Sequence, residues 1–189
     1  MGLLDLIDRL AAGPDTDADP DVDEERAARL AADAADPAIT ADALTASGDR
    51  TRHPLVAYVE DDEQPEYLFR GGTLMVSDGD SLTRETPTRE LAVVVTDSRF
   101  LFVAGGRLSD SLFEIPFENV VMAYVDDEDD RTYLVVEADR DGDELTFFAD
   151  VTVGLRPDAL RSAVEHVGNP RSDAVRSESS PFFVLVPKR

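Results

Sequence analysis

Short apolar segments separated by turn residues limit most strongly how this chain can fold. Between Thr73 and Ala149, runs of five to seven residues are rich in β-branched and aromatic side chains, a composition that favours strands. Asp-Ser, Gly-Gly and Asp-Gly pairs and one acidic loop connect these runs, as expected of tight antiparallel turns. The seven predicted strands are 73–77, 90–96, 99–104, 111–115, 120–126, 132–138 and 144–149. We therefore predict a mainly β fold, an antiparallel partial barrel of seven strands.

Helices are predicted on both sides of these strands. Residues 23–35 are rich in Ala, and residues 40–46 begin at Thr40, a favoured N-cap residue. The apolar face of this helical pair is too narrow to fold alone, so the pair must pack on another element. After the last strand, residues 157–167 form an amphipathic pattern that ends at Gly168. We expect this C-terminal helix to cap the open end of the partial barrel.

The remaining central segments are predicted as short turns and loops. Residues 55–59 and 67–69 indicate one or two helical turns, and residues 77–89 a loop after the first strand. Arg99 follows a tight turn and is expected to pair with a nearby carboxylate such as Asp97. Three regions result: an acidic helical region with a linker (1–52), the β domain (53–169), and a C-terminal tail with an extra strand (170–189).

Both ends of the chain carry apolar segments suited to docking. Residues 2–12 have the spacing of a short amphipathic helix, which would dock on its own domain or on a second subunit. Residues 181–186 are too apolar for a free end, and would add an edge strand within the subunit or to a neighbour. The candidate docking side chains are Leu3, Leu4, Ile7, Leu10, Phe182, Phe183 and Leu185.

The charge of the chain points to its solvent. Asp and Glu number 41 against 18 Lys and Arg, which gives a formal net charge of −23. The carboxylates are spread along the chain rather than collected in one block, so an acidic tail is disfavoured. At molar salt, screening suppresses their mutual repulsion and a carboxylate-rich surface stays hydrated. We predict adaptation to high salt and no binding to nucleic acid, which requires cations on its phosphates.

The chemistry-bearing residues favour a protein without catalysis. The chain has no cysteine, and its two histidines, His53 and His166, have no neighbour at metal-ligand spacing. Serines lack a nucleophile setting, and the Gly pairs lie at strand ends rather than in a phosphate loop. We expect no catalytic residue, cofactor or metal site. Because the sequence shows no secretory signal and no apolar run of spanning length, a cytoplasmic location is expected.

Two local motifs resemble a known family. Apolar runs flank Thr-Asp-Ser-Arg at 96–99, and Ile-Pro-Phe-Glu-Asn-Val follows at 115–120. Together with the strand order and the closing helix, over residues 59–168, these motifs resemble the pleckstrin-homology-like (PH-like) domains of bacteria and archaea, of the YokE-like kind. The resemblance implies a non-enzymatic binding or assembly module, often oligomeric.

Two functions are therefore expected. The first is a protein-binding or scaffold module whose partner is another protein or a second copy of the chain. The alternative is a module for lipid or small anionic ligands, with Arg84 and Arg89 as the candidate contacts. The acidic residues around these two arginines argue against a phosphate clamp, which needs converging cations.

Overall fold

A computed structural model describes residues 23–48, 50–140 and 142–168 of the 189-residue chain. In these ranges the helices are α1 (Glu24–Asp33), α2 (Ala41–Thr45) and α3 (Pro157–Val167), with 3₁₀ helices at Leu55–Tyr58 and Phe117–Asn119. The strands are β1 (Pro65–Gly71), β2 (Leu74–Ser77), β3 (Leu82–Glu85), β4 (Leu91–Thr96), β5 (Arg99–Ala104), β6 (Ser111–Pro116), β7 (Val120–Glu128), β8 (Arg131–Arg140) and β9 (Asp143–Asp150).

The described strands form two antiparallel sheets. The four-stranded sheet has the order β1-β4-β5-β6, and the five-stranded sheet has the order β3-β2-β9-β8-β7. The expectation of a mainly β fold with helices is confirmed. All seven predicted strands are present, as β2 and β4 to β9, and no end is shifted by more than two residues.

Two predicted non-strand segments are strands. Residues 67–69, predicted as a helical turn, lie in β1, where Leu68 and Phe69 point into different hydrophobic clusters as in any strand. The predicted loop 77–89 contains β3, which pairs with β2 at the edge of the five-stranded sheet. β3 has the sequence Leu-Thr-Arg-Glu and is half exposed, so its sequence lacks the apolar signal of a buried strand.

The chain passes from one sheet to the other at a glycine corner. β1 pairs with β4, whereas β2, three residues further on, pairs with β9. At this corner a Cβ on Gly71 would lie 1.9 Å from the carbonyl oxygen of Asp150, so only glycine fits. The Gly72 N–H donates to the same oxygen at 3.1 Å, which continues the ladder around the bend.

The four-stranded sheet is buried on both faces. One face joins the five-stranded sheet in the interior cluster, which includes Val93, Phe102 and Phe147. The other face belongs to the outer cluster, where Val94 and Leu101 pack with the N-terminal helices. All residues of β4 and β5 are buried. Their uninterrupted apolar sequences follow from burial on both sides.

The predicted N-terminal helical pair is confirmed as α1 and α2. Asp23 caps α1 through the Arg26 N–H at 2.7 Å, and Thr40 caps α2 through the Ala43 N–H at 3.0 Å. Ala27, Leu30 and Leu44 are buried in the outer cluster. The pair packs on the β structure, as its narrow apolar face requires. The division of the chain at residue 52 stays a prediction.

The C-terminal helix α3 packs against β1 and β7. Pro157 is at its first turn, and Gly168 ends it with φ 62°. Leu160, Ala163 and Val167 are buried in the interior cluster, so the predicted apolar face is the buried one. Segments 1–22 and 169–189, with the predicted docking helix, the tail strand and their seven docking side chains, lie outside the described residues.

Candidate docking surface

The outer face of the five-stranded sheet is identified by its register. Leu134 and Val136 of β8 belong to the interior cluster, so Val135 between them points to the opposite face. Val135 lies opposite Tyr124 on one side and Phe148 on the other. Residues directly opposite each other share a face, so these three side chains form one row.

This row is apolar across four strands. Phe148 is paired in turn with Met75 of β2, and Met75 with Arg84 of β3. In the next row, Met122 and Leu82 occupy the two ends, with exposed fractions of 38% and 55%. Six of the apolar side chains on this face are called the outer patch; they are Met75, Leu82, Met122, Tyr124, Val135 and Phe148.

No helix in the described ranges buries its apolar residues on the outer patch. α1 and α2 contribute theirs to the outer cluster on the four-stranded sheet, and α3 to the interior cluster. None of the six patch residues belongs to either cluster. Val135 is 0% exposed and Met75, Tyr124 and Phe148 are partly buried, whereas Leu82 and Met122 are exposed. Exposed apolar side chains beside such a row mark a place where another element docks.

The polar groups around the outer patch are mixed in charge. Glu137 lies in the second row, opposite Met122, and accepts a hydrogen bond from the Tyr124 hydroxyl at 3.3 Å. Burial, followed by the neighbouring Glu137, raises the pKa of Tyr124 to about 12, so its hydroxyl stays protonated as a donor. At the other end of the row Arg84 is exposed, and no carboxylate of the described ranges forms a salt bridge with it.

The free edge of β1 is closed by an ion pair whose carboxylate is buried. Asp36 accepts the Leu68 N–H at 3.2 Å and pairs with Arg156, whose guanidinium also donates to the Leu68 carbonyl. The Asp36 N–H donates to the Glu66 carbonyl at 2.9 Å. The backbone groups that an added strand would need are therefore already used, which excludes this part of β1 as a docking edge.

Arg99 is held by three glutamates rather than by Asp97. Its guanidinium lies 2.8 Å from Glu63, 2.9 Å from Glu114 and 3.2 Å from Glu60. The prediction of a structural ion pair is correct, but the predicted partner Asp97 is wrong. Burial alone would raise the pKa of Glu63, yet hydrogen bonds from Arg99 and from the Thr96 hydroxyl at 2.7 Å lower it below its usual range.

Asp110 fastens the segment before the 3₁₀ helix to the four-stranded sheet. It is 7% exposed and accepts the backbone N–H groups of Arg52, at 2.8 Å, and of His53, at 3.1 Å. It also accepts the Tyr58 hydroxyl at 2.5 Å. Burial and this carboxylate raise the pKa of Tyr58 well above its usual value. The end of the predicted linker, at residue 52, is therefore fixed to the β structure through Asp110.

The two arginines predicted to bind an anion share no partner. Arg84 lies on β3 and reaches Thr73 Oγ1 at 3.5 Å. Arg89 precedes β4 and donates to the carbonyl of Thr51 at 3.2 Å. Both histidines pack against aromatic rings. His53 lies edge-on to Tyr58, and His166 lies edge-on to Tyr67 and Phe117, with its Nε2 3.2 Å from the Thr96 carbonyl oxygen.

Comparison with known proteins gives no family. No protein-family model matches the chain, and no curated protein matches it significantly. Among the described residues, no group of three or more His, Asp or Glu side chains is placed to hold a metal ion. No helix in the same ranges has the length and apolarity needed to cross a membrane.

The sequence analysis did not predict the outer patch, although the sequence contains a pattern that indicates it. Val135-Val136 and Phe147-Phe148 are consecutive apolar residues within strands, and alternation places one of each pair on either face. A sheet with one solvated face alternates apolar and polar residues instead. Such doublets on two adjacent strands therefore predict an apolar outer face.

Proposed function

We propose that this protein is a non-enzymatic protein-binding module that engages its partner through the outer patch. The observation that carries the proposal is the contrast between the two sheets. The chain covers the outer face of one with α1 and α2, whereas no described helix packs on the apolar row of the other, beside which Leu82 and Met122 are exposed. Large apolar side chains, including Met and aromatic residues, are typical of the centre of protein interfaces.

The PH-like fold is part of this proposal and is supported by the topology. β4 to β6 and β7 to β9 form two three-stranded meanders. β1 and β2 together act as one bent strand that pairs with both, and α3 packs against β1 and β7. A partial barrel that opens at one corner and closes through its first strand has this order of pairing. The YokE-like assignment rests on the two sequence motifs alone.

Self-association is one form that this function takes, through the outer patch or through the apolar tail. Deleting residues 181–186 from the full chain tests the tail separately. If the tail joins subunits, light scattering in multimolar KCl reports a smaller mass for the deletion variant. An unchanged mass excludes the tail as the subunit contact.

Operation in high salt is proposed from the charge of −23. The repulsion between so many carboxylates is screened within about 3 Å at molar salt but extends to about 10 Å at 0.1 M. The midpoint of thermal unfolding is therefore expected to fall when KCl is lowered from multimolar to 0.1 M. A midpoint that does not change would contradict the adaptation to salt.

The decisive experiment compares two double variants of the full chain. Leu82→Arg with Met122→Arg places cations on exposed positions of the outer patch. Leu108→Arg with Val153→Arg changes charge equally at positions 83% and 69% exposed outside it, and serves as the matched control. Each is used to capture proteins from a native lysate held in multimolar KCl.

Proteins captured by the wild type and by the control, but lost with the patch variant, support binding through the outer patch. Equal capture by all three contradicts it. Light scattering of the same proteins shows whether the partner is a second copy of the chain. Circular dichroism checks that both variants are folded, which is expected because all four positions are exposed.

Binding of a lipid or a small anion stays the alternative prediction. Arg84 contacts Thr73 and Arg89 contacts Thr51, so the two arginines share no partner in the described residues. Flotation with anionic liposomes, using the wild type and Arg84→Ala with Arg89→Ala, tests it. Flotation that depends on the two arginines would favour the alternative over protein binding.

A further inference from the structure

The outermost strands of the two sheets differ in how well their free edges are protected. Asp36 and Arg156 close the edge of β1. β6 ends at Pro116, which has no N–H group, and β7 has an irregular register near its start and ends in three carboxylates, residues 126–128. All of these features hinder the addition of a strand. β3 has none of them: it is a regular strand, Leu-Thr-Arg-Glu, with one charge of each sign.

The turn between β2 and β3 shows which backbone groups of β3 face outward. The Asp78 N–H donates to the Ser81 carbonyl at 3.3 Å, so Ser81 directs its backbone groups toward β2. Successive residues of an antiparallel pair direct their N–H and C=O groups alternately toward the partner strand and away from it. Thr83 therefore faces β2, whereas Leu82 and Arg84 direct their backbone groups to the free edge.

The free edge of β3 is open in the part of the chain that the structure describes. Among the described strands, β3 pairs only with β2, and no backbone group of these ranges outside the sheet bonds to Leu82 or Arg84. The side chain of Leu82 is 55% exposed, and Arg84 is also exposed. Two N–H and two C=O groups therefore lie in one line, where a second strand can pair with all of them.

A second copy of β3 fits this edge in an antiparallel register centred on Thr83. When Thr83 lies opposite Thr83 of the copy, each Leu82 lies opposite an Arg84. The outward-facing residues of the two strands then form hydrogen-bonded pairs with each other. Opposed threonines make a favourable cross-strand pair, and Leu82 can pack on the apolar stem of Arg84. Glu85 lies opposite Ser81, so no like charges face each other.

The neighbouring symmetric registers are less favourable. Centring the pair on Arg84 places two guanidinium groups opposite each other, which is destabilising. Centring it on Leu82 places Arg84 opposite Asp80, which belongs to the turn before β3 rather than to the strand. The register centred on Thr83 is therefore the one that pairs all the free backbone groups within the strand. The edge is complementary to itself.

We propose that β3 is a docking edge for a second copy of the chain, through which two five-stranded sheets join into one antiparallel sheet of ten strands. Each copy contributes the same strand, so the contact closes as a dimer rather than growing into a filament. Because the strand is short, the dimer exists in equilibrium with the monomer. The inference goes beyond the proposed function, since the dimer uses a sheet edge and partner binding uses a sheet face.

Cysteine pairing tests the register, because the chain has no cysteine of its own. Thr83→Cys should form a disulfide between two full-length copies under mild oxidation in multimolar KCl. Opposed residues outside the hydrogen-bonded pairs have Cα atoms about 4.5 Å apart, which suits a disulfide. Ser81→Cys and Glu85→Cys lie opposite each other, so a mixture of these two variants should also link. Either variant alone should not, because its two identical positions are about 13 Å apart along the strands.

Non-reducing gel electrophoresis measures the yield of linked dimer in the four samples. A yield at least tenfold higher for Thr83→Cys and for the mixture than for Ser81→Cys or Glu85→Cys alone supports the proposal. Equal yields in all four samples indicate random collision and overturn it. The absence of a linked dimer in every sample also overturns it, whether another protein or another segment of the chain covers the edge.

A matched pair of charge substitutions tests the same register without cysteine. Leu82→Glu places a carboxylate opposite Arg84 of the other copy, whereas Leu82→Arg places a second guanidinium there. Equilibrium sedimentation in multimolar KCl should give a dimer dissociation constant about tenfold lower for Leu82→Glu than for Leu82→Arg. Net charge alone predicts the opposite order, because Leu82→Glu makes an acidic chain more acidic. Equal constants, or the opposite order, contradict the proposal.

Met122→Arg is the control for the position of the contact. Met122 lies on β7, the strand at the other edge of the same sheet, so this variant should form the Thr83→Cys disulfide as well as the parent chain does. Loss of the disulfide in Met122→Arg would show that the dimer forms through the outer face, and would overturn the assignment to β3. Circular dichroism checks that the variants at Leu82 and Met122 are folded, as expected at exposed positions.

Discussion

The two sheets of this protein have similar interiors and different exteriors. Both contribute large apolar side chains to the interior cluster, such as Phe102 from one and Phe147 from the other, whose rings stack with centroids 5.6 Å apart. On the outside, the four-stranded sheet is covered by α1, α2 and the first 3₁₀ helix. The five-stranded sheet presents the outer patch, which none of the described helices covers.

This difference separates the contributions to stability from those to binding. A side chain such as Leu101, buried under the chain's own helices, is needed for folding. A side chain such as Leu82, on the other exterior, adds little to folding because it is more than half exposed. An apolar residue that contributes little to folding is explained more readily by a docking role.

The largest effect is expected on the covered sheet. Leu101 is fully buried in the outer cluster, and Leu101→Ala removes its side chain beneath α1 and α2. The free energy of unfolding should fall by about 4 kcal/mol, since transfer and cavity costs add. Chemical denaturation in multimolar KCl measures it. A loss below about 1 kcal/mol would mean that the N-terminal helices do not seal this face.

A slightly smaller effect is expected at the charged end of the same sheet. Glu63→Gln removes the charge of the 5%-exposed partner of Arg99, whose other partners, Glu60 and Glu114, are more exposed. The free energy of unfolding should fall by about 3 kcal/mol, because the positive charge of Arg99 stays buried while its buried negative partner is lost. Glu114→Gln, at a 41%-exposed side chain, is the control and should cost less than about 1 kcal/mol.

The same pair predicts a response to acid. The pKa of Glu63 in the folded protein is below its value in the unfolded chain. The unfolded state therefore takes up the proton first, and stability is lost as the pH falls below about 4.3 and through the lower folded pKa. Unfolding measured from pH 6 downward should show a shallower decline in Glu63→Gln than in the wild type. Parallel declines would contradict a role for Glu63.

A moderate effect is expected where the 50–53 segment is anchored. Tyr58→Phe removes one of the donors to Asp110 and keeps the backbone donors of Arg52 and His53. The free energy of unfolding should fall by about 1.5 kcal/mol, the range for a hydrogen bond to a charged group. Asp110→Ala should lower the free energy of unfolding more than Tyr58→Phe does, because it leaves all these donors without their acceptor. Equal costs would indicate that the backbone donors find other partners.

The smallest effect is expected on the exterior of the five-stranded sheet. Leu82→Ala changes a side chain that is 55% exposed, and the free energy of unfolding should change by about 0.5 kcal/mol or less. Denaturation of this variant beside Leu101→Ala gives the contrast directly. If Leu82→Ala costs as much as Leu101→Ala, the two exteriors are equivalent and the contrast between them is lost.

Local signals in the sequence predicted most of the fold. β4 to β9 were found because β-branched and aromatic runs end at turn residues, and Thr40 and Pro157 marked the starts of two helices correctly. β3 was missed because an exposed edge strand needs few apolar residues. The pairing of Arg99 with Glu63 joins residues 36 positions apart, and no local pattern encodes such a contact.

The outer patch depends on register, which the sequence specifies only indirectly. Phe148 and Met75 become neighbours because β9, the last described strand, pairs with β2, which lies far earlier in the chain. Seven apolar strands could be predicted, but which residues share the solvent face could not. The apolar doublets on β8 and β9 were the available sign that this face is not purely polar.

The methyl groups of Met75 and Met122 test the central claim most directly, because both lie on the outer patch. Spectra of methyl-¹³C-methionine in the full chain are recorded in multimolar KCl before and after addition of the protein that the wild type captures. We predict that both methyl signals shift on binding, because the partner covers the outer patch. Signals that stay unchanged when the partner is bound would contradict binding through this face.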